Sequence, residues 1–576
     1  MKTRYFTKIA VALVAMSAMG LTSCLEEVEP SQIINQDQLD ASPNAGKALI
    51  MAMPAYMSSY NAIGHTPQEV QHFDFGYPAI MRARDVQTGD FTTTPGAMVG
   101  YDHFMDFSSG SLNEASQLTQ FPWQFFNKAI LNCNIALRTY NKDEDTEENM
   151  GLRATARAFR AMLYLDLART YEFLPNDKFQ NPGLVGLTVP IVTEETTEEQ
   201  ARNNPRATHA DMSAFILKDL DYAESHISSS TITGPTLPNL AAVYGLKARL
   251  YMWNEDYPNA AKYADMAIQT SGKTPLSEAA WTDPVTGFNS NQNSSWIWGM
   301  SYAKEDGAIS TGIINWISFA SPENQFGYAG LLVLADQCVA PTVDRSMYDR
   351  VSDTDFRKKS WLPGNPGDPR LADVNLLDPG NLAEMGFDYD TYKMVFASYL
   401  PYGGVKIRCG QGNVSDPSVA GVVDIPLMRV EEMYLIKAEA VAHTNAGEGK
   451  QLIETFMTTY RDPQYTCSVS STDEVVEEIV FQKRVELWGE GQSFFDIKRL
   501  NYSVTRFYEG TNWPQPLVFN TQGRPAWMNW PILISEPNNN QAVVGKNNPN
   551  TAGVYGNPIP LPEEPSEGEG EGGEGE

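Results

Sequence analysis

The sequence has few histidines and few cysteines, the residues most often used for acid–base catalysis and for metal binding. Only six of its 576 residues are histidines, and none forms the H-E-x-x-H pair of a zinc protease. The five cysteines show no C-x-x-C spacing, so neither a zinc site nor a redox motif is indicated. A nucleophile elbow and a phosphate-binding loop are also missing. We therefore predict no catalytic residues, no cofactor and no catalytic metal, and leave a structural calcium ion open.

Basic residues are scarce as well. The chain has 42 lysines and arginines against 71 aspartates and glutamates, which gives a formal net charge of −29 at pH 7. Such a charge repels phosphate backbones, so nucleic acid is excluded as a partner.

The apolar run near the N-terminus, residues 9–19, is too short to span a bilayer as a helix. Basic residues precede it, and Leu21, Thr22, Ser23 and Cys24 follow it. The last four residues resemble a bacterial lipobox, in which the signal is cleaved before the cysteine and the thiol is lipidated. We predict a signal peptide over residues 1–23, a lipid anchor at Cys24 and a tether over residues 24–40. An ordinary secretory signal is the alternative.

The other cysteines and the C-terminus indicate less. Free thiols and disulfides both remain possible for the four cysteines that follow Cys24, namely Cys133, Cys338, Cys409 and Cys467. Residues 561–576 are mainly glutamate and glycine, a composition that cannot bury a core. We predict that this tail is disordered and assign it no role.

Paired amphipathic helices dominate the middle of the sequence. Apolar residues recur by threes and fours over residues 239–253 and again over residues 257–268, where small residues let the two helices approach closely. The second stripe resembles the second helix of a tetratricopeptide repeat. Further helices are predicted over residues 121–140, 151–174, 211–227, 426–443 and 448–460.

These patterns predict a mostly α fold: a tetratricopeptide-like paired-helix solenoid with irregular, loop-rich insertions and a few short strands. One domain is expected over residues 41–560. Its repeat core would occupy about residues 120–275 and 425–500, with a variable, ligand-facing insertion over about residues 276–425.

Residues 472–500 predict a terminal helix with an unusual charge on its apolar stripe. Thr472 is placed to cap its start, and Gly491 suits a left-handed turn after it. Arg484 lies on the apolar face, so it requires a carboxylate, and Glu486, Glu490 and Asp496 are the near candidates. We interpret these residues as a structural ion-pair cluster; a general acid–base pair is the alternative.

The same five residues, Arg484, Glu486, Glu490, Gly491 and Asp496, resemble the C-terminal signature of the RagB/SusD family. Four earlier segments, around residues 158–175, 206–223, 347–358 and 428–440, resemble further motifs of that family in the same order. The usual motif near the end of the chain is only partly kept at residues 547–550. The resemblance covers nearly the whole chain after the signal.

The resemblance implies a lipid-anchored protein on the outer surface of a bacterial outer membrane. Such proteins capture nutrients for a SusC-like TonB-dependent transporter and are not enzymes. An oligosaccharide or a peptide would be the ligand. A surface glycoside hydrolase and a repeat scaffold that binds only protein are the alternatives.

Two segments are candidates for ligand binding, residues 73–90 and residues 281–328, because aromatic rings lie there among turn formers and amides. Aromatic faces stack on sugar rings, and amides bond sugar hydroxyls. We predict Tyr77, Trp281, Trp316 and Tyr328 as ligand-binding residues, with core packing as the alternative for each.

Overall fold

The computed structural model describes residues 45–61, 71–93, 104–140, 145–330 and 339–555. Within these residues the protein is mostly helical, which confirms the predicted fold class. The predicted signal peptide, Cys24, the tether and the acidic tail lie outside the described residues, as does Cys338.

Five long helices form the first part of the repeat core. They are α1 (Gln117–Tyr140), α2 (Glu147–Tyr171), α3 (His209–His226), α4 (Leu240–Trp253) and α5 (Tyr257–Ser271). The last four begin after a side chain that accepts a hydrogen bond from a backbone N–H of the first turn: Thr146, Thr208, Asn239 and Asp256. These caps satisfy N–H groups that the helix itself leaves unbonded, which fixes where each helix starts.

Four helices form the second part of the repeat core: α6 (Val430–Thr444), α7 (Ala446–Tyr460), α8 (Thr472–Glu486) and α9 (Ser493–Arg499). Two sequence predictions need correction here. The predicted helix over residues 426–443 begins as a strand, because residues 424–429 pair with another strand before the chain turns into α6. Helix α8 is capped by Ser471, one residue before the predicted Thr472, in a capping box with Glu474.

Helix α5 packs against both α4 and α6, although 158 residues separate the end of α5 from the start of α6. Ala260, Ala264 and Ala267 of α5 are fully buried. Their small side chains let neighbouring helices approach closely, as the sequence predicts. The chain therefore returns to α5 after the residues that separate it from α6.

The described strands form two small antiparallel sheets. Strand β1 (Phe91–Thr93) pairs with β3 (Pro341–Val343), and β2 (Trp296–Ser301) pairs with β4 (Asp424–Arg429). The register of the second pair shifts around Trp298. The second sheet therefore pairs a strand from the first part of the predicted insertion, β2, with a strand at its end, β4.

Short helices and turns make up the rest of the described chain. The short α-helices are Ala45–Met57, Tyr77–Asp85, Met105–Ser108, Glu198–Ala201, Glu278–Trp281, Gly307–Ser310, Trp316–Ala320, Arg345–Arg350, Pro379–Glu384, Tyr389–Tyr399, Pro417–Ala420 and Glu536–Asn539. The 3-10 helices are Ile227–Ser229, Phe356–Ser360, Pro369–Asp373, Gly410–Gly412, Gln515–Leu517, Ala526–Met528 and Gln541–Val543.

The described residues from Leu49 onward form one compact unit, and those before Leu49 are the first turn of the helix Ala45–Met57. Cys133, Cys409 and Cys467 have buried, free thiols. In the described part of the chain, no helix has both the length and the apolar character needed to cross a membrane.

Candidate functional site

Trp281 lies in the core, where it covers buried charges. Its side chain is 2% exposed, and its indole N–H donates to Ser360 Oγ at 2.8 Å. Phe288 meets the ring edge-on, with 4.7 Å between ring centroids. The Lys406 ammonium and the Arg461 guanidinium lie 5.1 Å and 5.2 Å from the ring centroid. Trp281 therefore makes cation–π contacts with buried basic side chains.

Trp316 and Tyr328 are buried as well. Trp316 is 4% exposed and begins the helix Trp316–Ala320, which Asn315 caps. Tyr328 stacks on Phe319, with ring centroids 4.7 Å apart. Both rings belong to the main hydrophobic core.

Tyr77 belongs to a helix whose nine residues are all buried. Its hydroxyl donates to Asp166, which also pairs with Arg84 at 2.9 Å. The segment that contains Tyr77 does meet the second candidate segment: Phe75 stacks on Phe319 at 5.4 Å, and Tyr302 donates to the Phe75 carbonyl. The structure thus brings the two candidate segments together, but inside the core.

All four predicted rings, Tyr77, Trp281, Trp316 and Tyr328, are therefore buried, in agreement with core packing, the alternative given for each. The amides and turn formers near them bond to the protein's own backbone. The amide of Asn324 donates to the carbonyls of Ile317 and Ser321, and its oxygen accepts the backbone N–H of Phe326. Such groups make a buried turn possible and leave nothing for sugar hydroxyls.

Other apolar side chains of the insertion are exposed. Phe387, Met394 and Tyr399 are 42%, 57% and 62% exposed. They lie just before, within and at the end of the helix Tyr389–Tyr399, which Asp388 caps. We call these three residues the aromatic strip. The helix is about 16 Å long, so Phe387 and Tyr399 lie near its two ends.

The three residues of the aromatic strip were not predicted, although the helix pattern around them could have indicated that they are exposed. Tyr392 and Phe396 are spaced by four and are buried, so the rest of the helix must face outward. Met394 lies on that outer side together with the exposed Asp390, Thr391 and Ser398. Large apolar residues on a polar face indicate a binding surface better than rings among turn formers do.

The C-terminal motif lies in a buried charge cluster. We call it the central charge cluster; its four basic residues are Arg357, Lys406, Arg429 and Arg461, and its four acidic residues are Asp355, Glu431, Glu486 and Glu490. Glu486 has no exposed surface and accepts from Arg461 at 2.8 Å, Arg429 at 3.1 Å and Arg357 at 3.2 Å. Positive and negative charges are equal in number, as a buried network requires.

The pKa directions in this cluster follow from its ion pairs. Burial by itself would raise the pKa of Glu486, but Arg461, Arg429 and Arg357 outweigh burial and hold it below its ordinary value of 4.5. Arg429 and Lys406 do the same for the pKa of Glu490. Both carboxylates therefore stay ionised, which suits a structural role and not that of a proton donor.

Arg484 pairs with a different carboxylate from the three that we predicted for it, and Asp496 pairs with other basic residues. Arg484 Nε donates to Asp90 at 2.8 Å, and Asp90 precedes it by 394 residues. Asp496 pairs with Lys483 at 2.9 Å and with Arg499 at 3.1 Å. The motif therefore supplies three separate ion-pair groups.

Gly491 joins the motif to the buried helix Tyr77–Asp85. It has φ of +68°, and an added Cβ would lie 2.8 Å from the Cα of Met81. The Gly491 N–H donates to Asp85 at 3.0 Å. Burial raises the pKa of Asp85 to about 8 despite that bond. Only glycine fits this close approach in a left-handed turn, as the sequence predicts.

A cavity of about 270 Å³ lies where the ends of α2 and α4 meet α6, α8 and α9. Its basic lining residues are Arg169, Arg249, Lys483, Lys498, Arg499 and Arg524, and its acidic ones are Glu172, Glu255, Glu432 and Asp496. We call it the basic cavity. Within the described residues, no group of three or more histidine, cysteine, aspartate or glutamate side chains is arranged to hold a metal ion.

Comparison with known families gives two matches that flank the insertion. A family model described as "Starch-binding associating with outer membrane" matches residues 97–252, and one described as "SusD family" matches residues 399–563. Together they include α1 to α4, up to residue 252, and α6 to α9 with the C-terminal motif, but not α5.

Whole-chain relatives agree with these matches. The chain is 23% identical over 567 residues to SusD-like protein P38 of Formosa agariphila, which covers 93% of this chain and 99% of the relative. A SusD-like carbohydrate binding protein from Bacteroides vulgatus has a similar structure, with a TM-score of 0.64, 20% identity, and coverage of 87% of this chain and 97% of that one. A laminarin binding SusD-like protein follows, with a TM-score of 0.57, 18% identity, and coverage of 88% and 98%. At these identities the solved structures establish the fold.

Proposed function

We propose that this chain is a member of the SusD/RagB family, a surface-anchored lipoprotein that captures an oligosaccharide and passes it to a TonB-dependent transporter of the outer membrane. The observation that carries the proposal is the pair of family matches on either side of the insertion. The description of the family that matches residues 97–252 supports a role in starch binding at the outer membrane. A structural neighbour named for laminarin binding supports a glycan as the ligand class.

The aromatic strip is the surface that we propose for capture. Phe387 lies just before the helix Tyr389–Tyr399 and Tyr399 at its end; both rings are exposed, and each has a face that a sugar ring could cover. Asp388, Asp390 and Ser398 are exposed beside them and supply acceptors and a hydroxyl for sugar hydroxyl groups. A strip about 16 Å long favours an extended oligosaccharide over a single sugar.

The ligand class is tested by calorimetric titration of the mature protein with laminarin, starch oligosaccharides, xylan fragments and short peptides. We expect saturable binding of at least one glycan, with no release of reducing ends after long incubation. Release of shorter products would favour a glycoside hydrolase instead. Binding of peptides alone, or of neither class, would contradict glycan capture.

The anchor and the transporter partner are tested in the native cell. Cys24→Ala should abolish incorporation of radiolabelled fatty acid and release the protein from the outer membrane. Purification of the wild type in mild detergent should recover a large outer-membrane transporter with it. Labelling of the variant would contradict the lipobox interpretation, and recovery of the lipoprotein alone would count against the partnership.

A further inference from the structure

The basic cavity holds cations of two kinds, and the first kind is paired within the protein. Four of its six basic residues contact carboxylates: Arg169 with Asp166 at 2.6 Å, Arg249 with Glu432 at 2.7 Å, Lys483 with Asp496 at 2.9 Å and Arg499 with Asp496 at 3.1 Å. These four ion pairs resemble those of the central charge cluster and stabilise the wall of the cavity.

Lys498 and Arg524 are the second kind. Lys498 Nζ donates to the carbonyls of Arg169 and Thr170 at 2.8 Å, and Arg524 donates to three backbone carbonyls. Within the part of the chain that the structure describes, neither makes an ion pair with a carboxylate. Their side chains are 2% and 9% exposed, so water compensates their charge poorly.

Glu172 is the carboxylate with the largest electrostatic effect on Lys498 and Arg524, but its oxygens already accept hydrogen bonds from other groups. It accepts from His209 Nδ1 and from the indole N–H of Trp253, both at 2.8 Å. A third cation, Arg206, also acts on this region through Glu172. Glu172 therefore acts on three buried cations, and the exposed Glu255 acts in addition on Arg524.

The pKa shifts agree with this imbalance. Burial lowers the pKa of Lys498 well below its ordinary value of 10.5, and Glu172 only partly opposes that shift. The charges of Arg524 and Arg206 lower the pKa of Lys498 further. Burial also lowers the pKa of Arg524 to about 10. A negative group in the cavity would relieve these unfavourable charges.

We propose that the basic cavity binds a small organic anion through a carboxylate or sulfate group, with Lys498 and Arg524 providing the uncompensated charge. The volume of about 270 Å³ lies just below the range of about 300–1,000 Å³ typical of pockets for drug-sized ligands. A single acidic sugar or a similar small anion matches that size, whereas an oligosaccharide does not. The site lies among the helices of the repeat core and is separate in sequence from the aromatic strip.

The proposal is tested on the wild-type protein with three probes: sodium glucuronate, glucose and sodium sulfate, each against sodium chloride at matched ionic strength. Glucuronate should raise the melting temperature and bind with a Kd below about 1 mM in calorimetry, while glucose should do neither. Binding of sulfate as well would identify the anionic group as sufficient, and binding of glucuronate alone would identify a sugar acid. Equal effects of glucuronate and glucose, or no binding of either anion, would overturn the proposal.

Variants locate the site. Lys498→Met should weaken glucuronate binding at least tenfold, and circular dichroism checks that the variant is folded. Glu255 is exposed at the cavity lining, so Glu255→Gln removes one repelling charge at little risk to the fold and should tighten binding about twofold. If Lys498→Met does not fold, Glu255→Gln is the deciding variant. Unchanged glucuronate affinity in Glu255→Gln would overturn the placement of the anion in the basic cavity.

Two control variants distinguish anion binding in the cavity from anion binding elsewhere on the protein. Lys304→Met removes an exposed lysine of the insertion and should leave glucuronate affinity unchanged. Tyr399→Ala should also leave it unchanged, because the aromatic strip is a different surface. Loss of glucuronate binding in Tyr399→Ala would place the anion on the strip and overturn the assignment to the cavity.

Discussion

The central charge cluster and the aromatic strip contain residue types that the sequence alone would assign to the opposite roles. Glutamates and arginines, usually exposed, are buried in the cluster, where Glu486 has no exposed surface. Tyr399, an aromatic residue usually at least partly buried, is 62% exposed in the strip. The difference shows that the role of a side chain depends on whether neighbouring groups pair with it. The charges of the cluster pair with one another, whereas the side chains of the strip are exposed.

The largest effect is expected from breaking the cluster with Arg429→Met. Arg429 contacts Glu431, Glu486 and Glu490, so its loss removes one basic partner from each of three buried carboxylates and leaves the cluster with an excess negative charge. We expect the free energy of unfolding to fall by about 5 kcal/mol, the upper end for a broken buried pair. Urea denaturation measures this.

The matched control for Arg429→Met is Arg202→Met, because Arg202 and its partner Glu198 are both exposed. We expect this change to alter stability by less than about 0.5 kcal/mol. Similar losses for the two variants would show that the cluster contributes no more than a surface ion pair does.

The next largest effect is expected for Trp281→Ala, which removes the ring that covers the cluster. The change opens a cavity beside Lys406 and Arg461, and we expect a loss of about 4 kcal/mol in unfolding free energy. Glycan affinity per folded molecule should not change. A variant with normal stability and weakened glycan binding would instead restore Trp281 as a ligand-binding residue.

Acid should weaken the cluster and leave the strip intact. The pKa values of Glu486 and Glu490 are lower in the folded protein than their ordinary value of 4.5, so the stability they contribute is present above that pH. It is lost as the pH falls below about 4.5 toward the folded pKa values.

Urea unfolding between neutral pH and about pH 3 measures this acid effect, and Glu486→Gln should show a shallower pH dependence than the wild type. Glycan affinity per folded molecule should stay constant over the same range. An equal slope for wild type and Glu486→Gln would mean that Glu486 titrates alike in the folded and unfolded states.

The smallest free-energy change is expected on the strip. Tyr399→Ala should weaken binding of the captured glycan about tenfold, equal to about 1.4 kcal/mol, because an exposed ring loses its contact with the sugar. Unfolding free energy should change by less than about 0.5 kcal/mol. Leu131→Ala is the matched control, since Leu131 is 52% exposed on α1, outside the insertion. Unchanged affinity in Tyr399→Ala and Phe387→Ala would remove the strip as the capture surface.

The sequence by itself determined the helices of the repeat core, because their signals are local. Asn239 caps α4 and Asp256 caps α5, and an apolar residue every third or fourth position sets the buried face of each helix. The left-handed turn at Gly491 was also readable, since glycine alone adopts that conformation at low cost. The resemblance to the SusD/RagB family also rests on short local motifs.

Only the tertiary structure decided which rings are exposed and which charges are paired. Trp281 is buried because residues near 360, 406 and 461 close over it, and Arg484 finds Asp90 across 394 residues of chain. Lys498 and Arg524 share one cavity because α9 and the segment after it fold back onto the end of α2. Burial and charge compensation depend on segments that are distant in sequence, and no local pattern carries that information.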